Sequence, residues 1–155
     1  MQLDRPTSSV PADRLRLPPP ARALLVVLGL AIVGVWAVAA RLTPDRRGYG
    51  THEQLGLPPC SFRLLTGKPC PSCGLTTSFC HMAHGQVGQA AAVNPTGCLL
   101  ALLAAALVPW CWASAWAGRL RGVVQPDRWL LSLVGGVVSF ALLVWAVRLM
   151  IERIA

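Results

Sequence analysis

The chain is short of charge, and of acid above all. Six of its 155 residues are Asp or Glu, against fourteen Lys and Arg, and charged residues make up only 13%. Acids so few and so scattered offer no carboxylate pair for general acid–base work. There is no Ser/His/Asp order, no phosphate-cradling loop and no His-Glu-x-x-His, which removes the common hydrolase, nucleotide-binding and zinc-protease classes. The strand–helix alternation in which thioredoxin-like proteins set a Cys-x-x-Cys is missing as well. A soluble domain of this size would expose more charge. The long apolar runs hold no ionisable side chain except cysteine, which argues against a proton relay or an ion pump.

What the chain does have is apolar length. The apolar fraction is 54% and the mean hydropathy is +0.54. Residues 23–40 are uncharged and lie between Arg22 and Arg41. At about 1.5 Å per residue they span about 27 Å, close to the hydrocarbon thickness of a bilayer. Ala37-Val38-Ala39 resembles a signal-peptidase site, but the run is long for a signal peptide and its leader is proline-rich, so an uncleaved anchor is the better reading. Residues 96–117 form the second expected span, opened by Asn94 as cap and Pro95 in the first turn. Pro109 is placed to kink it. Trp110, Trp112 and Trp116 sit near its end like an interfacial aromatic belt. Residues 129–147 form the third span, closed by Arg148. Ser132/Gly136 and Gly135/Ser139 offer small residues for close helix packing there.

Residues 1–21, rich in proline, read as a disordered tail ahead of a single membrane domain, 22–155. Residues 41–69, rich in proline and glycine, read as a polar connection with no helix or strand of any length. The formal net charge is +8, yet the arginines sit singly and in pairs beside the apolar runs. That is how membrane-flanking residues are placed, and it is not a nucleic-acid footprint. With the N-terminus inside, seven arginines flank the spans on the inner side and five on the outer, which puts the segment between the first two spans on the extracytoplasmic face.

That segment, within residues 57–93, carries the chemistry. Cys60, Cys70, Cys73 and Cys80 fall close together, with His81 and His84 behind them. Cys98 and Cys111 lie in an apolar run and read as small buried hydrophobes. A helix over residues 71–84 places Leu75, Phe79 and Met82 on one face and Cys73, Thr77, Cys80 and His84 on the other. It is too short to span, so an interfacial helix is expected, its apolar face toward apolar surroundings, with a small helix over residues 86–93 after it. Cys70-Pro71-Ser72-Cys73-Gly74 has the form of a metal knuckle, in which two thiolates on a tight turn face one ion. Zinc is the candidate ion, with Cys60, Cys80 and His84 as candidate further ligands. The same residues admit a redox pair, Cys70 and Cys73, with Cys70 activated at a helix N-terminus. They also admit structural disulfides, which an extracytoplasmic face would favour.

Leu64-Leu65-Thr66-Gly67, Pro69-Cys70-Pro71-Ser72-Cys73-Gly74-Leu75-Thr76, His84-Gly85, Ala91 and Asn94-Pro95 together resemble the bacterial DUF2752 family, over about residues 57–115. The chain departs from the family pattern at Ser61, Ser72 and Thr77, where proline, glycine and arginine are usual. The resemblance implies a small bacterial integral membrane protein, in the cytoplasmic membrane, and supplies no reaction. The whole reading is an all-α membrane protein with three transmembrane helices and a cysteine-bearing loop, disulfide- or metal-stabilised, capping the bundle. Its surroundings are the lipid bilayer and a membrane partner or a second copy of itself, without nucleic acid. A membrane thiol–disulfide oxidoreductase and a metal-binding module are the alternatives.

Overall fold

The computed structural model describes residues 16–122 and 126–154. Most of the expected tail, residues 1–15, lies outside them. The described residues are helical throughout, apart from turns and one isolated bridge between Arg16 and Arg119. Three helices are long and apolar enough to cross a membrane: α1 (Pro19–Arg41), α5 (Pro95–Ala117) and α6 (Pro126–Ile154). Each runs past the apolar stretch that announced it. Apolarity marks the part of a helix that suits lipid, whereas helix length follows caps and propensity, and arginine is a good helix former. So α6 continues beyond Arg148.

Helices α1 and α5 form an antiparallel pair. Arg22 Nε donates to the Ala115 carbonyl (2.7 Å) and Leu17 N to the Gly118 carbonyl (2.7 Å), tying the start of α1 to the end of α5. Midway, Gly29 lies under the Trp112 indole, where a Cβ would collide with the ring. Trp112 thus lays one edge on α1 while staying exposed on the other, Trp116 is almost wholly exposed, and Trp110 donates to the Arg121 carbonyl. α6 packs on α5 and leaves most of its large apolar side chains exposed, as lipid-facing residues of a span would be. No described neighbour stands within 4 Å of a Cβ built on Gly135 or Gly136, so among the described residues the packing notch expected there meets nothing.

Residues 42–94 cover the other end of the α1/α5 pair. The connection is more helical than its composition suggests. A 3-10 turn (Thr51–Leu55) and a short helix, α2 (Ser61–Thr66), lie within it. Glycine and proline bound these pieces without preventing them, because each is little more than one or two turns long. The interfacial helix is α3 (Leu75–Ala83), followed by α4 (Val87–Val93). α3 starts later than the expected residue 71, since residues 70–74 form a turn that ends on Gly74 at φ 83°.

α3 is packed on more than its apolar side. Thr77, Ser78 and Cys80 are each fully enclosed, while His84 at its end is exposed. Thr77 shares a hydrogen bond with Thr51 (2.8 Å), and Ser78 donates toward the carbonyls of Ala90 (2.8 Å) and Asn94 (3.0 Å). The Cys80 thiol points to the carbonyls of Ala39 (3.3 Å) and Leu42 (3.1 Å), where α1 ends. The carbonyls of Ala39 and Leu42 lie where α1 runs out of helical donors, and the Cys80 thiol serves them. The apolar face is half-buried against protein: Phe79 on Trp36 at 4.9 Å between ring centres, and Met82 beside Cys98.

Candidate metal or thiol site

Cys60 occupies the N-cap position of α2, directly after Pro58-Pro59. Gly67, at φ 69°, closes that helix and sends the chain back. Pro69 is buried, and its carbonyl accepts a hydrogen bond from Trp145 Nε1 on α6 (2.8 Å). The turn then brings Cys73 N onto the Cys70 carbonyl (3.0 Å) and Leu75 N onto the Ser72 carbonyl (3.0 Å). Gly74 has no substitute in this place. Its positive φ disfavours a side chain, and a Cβ would lie 2.7 Å from the Gly48 carbonyl oxygen.

The result is a triangle of sulfurs. Cys60–Cys70 is 3.5 Å, Cys70–Cys73 is 3.1 Å and Cys60–Cys73 is 3.8 Å. All three are free thiols whose ligand atoms lie within 4.8 Å of one another, and among the described residues no other group of His, Cys, Asp and Glu does so. Four thiolates at about 2.3 Å around zinc would be about 3.8 Å apart, so the triangle is a slightly contracted face of such a tetrahedron. Cys80 and His84 stand apart from it. Besides the two carbonyls at the end of α1, the Cys80 sulfur meets His84 Nδ1 at 3.9 Å, and that nitrogen is 2.8 Å from the Cys80 carbonyl.

The thiols are unequal. Cys73 is buried, and burial, then its hydrogen bond with Cys70, pushes its pKa up to about 11. Burial also raises the Cys70 thiol, but its hydrogen bonds with the Ser72 hydroxyl, Cys73, Cys60 and the Ser72 backbone outweigh it and hold Cys70 below the ordinary thiol value. The activation expected from a helix N-terminus therefore has another source: α3 begins after both cysteines, and neighbouring donors do the work. Burial alone raises Cys80.

One residue ties this knuckle to a span. Asn94 Oδ1 accepts from Thr96 N (2.9 Å) and Gly97 N (3.2 Å), capping α5, while its Nδ2 donates to the Cys73 carbonyl (3.0 Å). The cap was legible as Asn-Pro; the second bond, across 21 residues, had no local signal. Arg148 on α6 donates to the same carbonyl (3.3 Å). Thr77 brings no cation where the resemblance implies an arginine, yet cations are at hand from elsewhere. Arg47 and Arg63 line a cavity of about 630 Å³ with the three cysteines, Tyr49 and His52. Arg63 lies over the Tyr49 ring at 3.6 Å, and His52 Nε2 is 3.2 Å from the Pro58 carbonyl.

The family model described as "Protein of unknown function (DUF2752)" matches residues 60–108, from the first cysteine of the triangle into α5. Over these residues the chain is similar to the DUF2752 family. No curated protein and no solved structure matches the chain. The DUF2752 segment contains the thiol triangle, α3, α4 and the capped start of α5. Among the groups that meet it from outside the segment are Arg47, Tyr49, His52 and Glu53 in the connection and Trp145 and Arg148 on α6.

Proposed function

We propose that this is a small membrane protein whose extramembrane cap binds one soft metal ion through Cys60, Cys70 and Cys73, and that it works through a membrane partner. The observation that carries this reading is the sulfur triangle, with its 3.1–3.8 Å edges. Three thiolates form a set that suits zinc or a softer ion and repels hard cations. All three cysteines line the 630 Å³ cavity, so an ion held by them can take a further ligand from that side. Three protein ligands plus an open position is the pattern of sites that exchange or act, whereas purely structural zinc sites are closed by four. Cys80 and His84, engaged with each other and with backbone carbonyls, are left out of the ligand set. The cap lies on the extracytoplasmic face, with the N-terminus inside. Here the metal replaces a disulfide as the cross-link that holds α2 to the knuckle. The test is metal content of the detergent-purified chain after growth with zinc. About one equivalent is expected, lost in Cys60→Ser, Cys70→Ser and Cys73→Ser and kept in Cys80→Ser. Equal metal in all four variants contradicts the reading.

A second reading has its own support. Cys70 and Cys73 are 3.1 Å apart, the first half-buried and the second buried, which is the layout of a thiol–disulfide pair. Cys70 thiolate would attack a substrate disulfide and expel one thiolate. Cys73 would then give up its proton and attack Cys70, forming the Cys70–Cys73 disulfide and releasing the second substrate sulfur as thiol. Mixed disulfides trapped on Cys70 in Cys73→Ser would favour this chemistry over metal binding.

A further inference from the structure

Cys73 also lines a second cavity, of about 470 Å³, and its lining is cationic. Arg46, Arg47, Arg63 and Arg148 line it, and among the described residues no Asp or Glu does. Arg47 is held by Asp45 (2.8 Å) and Glu53 (2.9 Å), which stand outside the lining. Arg63 is stacked on Tyr49 by its face, and a guanidinium held that way keeps its N–H edge for an acceptor. Arg46 is exposed. Among the described residues, four arginines line the cavity and the two neighbouring carboxylates are both set against Arg47. Guanidinium forks match phosphate oxygens in geometry as well as charge.

The position of the cavity narrows the ligand. Arg148 and Ile151 come from the last turns of the candidate span Asp127–Ile151. The cavity therefore sits where hydrocarbon gives way to headgroups. Ile151 is exposed, so one wall is apolar and continuous with the lipid-facing surface of α6. A cationic floor beside an apolar wall fits an amphiphile better than a free ion. We infer that this cavity seats the phosphate of an anionic phospholipid, with an acyl chain running along α6. The inference stands independently of any metal on the thiols.

The test is thermal unfolding of the full chain in a neutral detergent, titrated with short-chain phosphatidylglycerol, short-chain phosphatidylcholine or inorganic phosphate. Phosphatidylglycerol should raise Tm saturably, and the other two should not. Arg148→Gln should shift half-saturation by about tenfold and Arg46→Gln by a smaller factor, as loss of a charge-assisted contact would. Arg41→Gln, at the same end of the molecule but outside the cavity, should leave the titration unchanged. If Arg148→Gln fails to fold, because Arg148 also holds Cys73, Arg46→Gln decides. An equal response to phosphatidylcholine or to inorganic phosphate overturns the inference. So does an Arg41→Gln effect as large as that of Arg46→Gln, which would mean diffuse surface charge and no seat.

Discussion

Two cysteines in one turn, Cys70 and Cys73, have opposite acid–base character. The reason lies in their neighbours: burial dominates at Cys73, and donated hydrogen bonds prevail at Cys70. The thiolate is the reactive form, so alkylation of the metal-free protein should follow that order. Mass mapping across a pH series should show Cys70 labelled at a pH below the ordinary thiol value and Cys73 only as pH nears 11. Labelling of both at the same pH would contradict the asymmetry. Gly74 gives a second test at this scale. Gly74→Ala forces a side chain into left-handed backbone and onto the Gly48 carbonyl, and should destabilise by more than about 1 kcal/mol. The approach of Cys70 to Cys73 was legible from their spacing alone. Cys60 was one of three candidates to join them, with Cys80 and His84, and which would arrive was not legible, because it depends on the short α2 and a left-handed Gly67 that reverse the chain.

Among the elements, α3 shows how far periodicity reaches. Its two faces were readable from residue type, but the enclosure of Cys80 depends on partners such as Ala39 and Leu42, 41 and 38 residues before it. These carbonyls at the end of α1 meet the thiol, and no local pattern records them. The start of α5 was legible because Asn94 and Pro95 act within one turn. Asn94→Ala removes both that cap and the bond to the Cys73 carbonyl. It should lower stability by about 1–3 kcal/mol in thermal or denaturant unfolding, and it should weaken metal binding too, because the same side chain positions the knuckle. A stability loss with metal affinity unchanged would separate the two roles. Trp145→Phe deletes only the bond to the Pro69 carbonyl and should cost about 1 kcal/mol.

At the scale of the whole molecule, three crossings and one cap set the architecture. The spans were plain in the sequence, since lipid demands long uncharged runs and nothing else in the chain supplies them. The contact of α6 with the cap was not, because Trp145 and Arg148 reach across 76 and 75 residues. That contact places the end of α6 on the same side as residues 42–94. Reporter fusions at residue 50 and after residue 155 should therefore agree with each other and disagree with one at residue 122. A fusion at 50 reporting the cytoplasm would reverse the proposed orientation without changing the fold. X-ray absorption at the metal edge of the purified, zinc-loaded full chain reads whether three cysteines jointly hold one soft ion. Three sulfur scatterers at about 2.3 Å and one lighter neighbour are expected. A shell without sulfur, or one of four sulfurs that draws in Cys80, would contradict that arrangement.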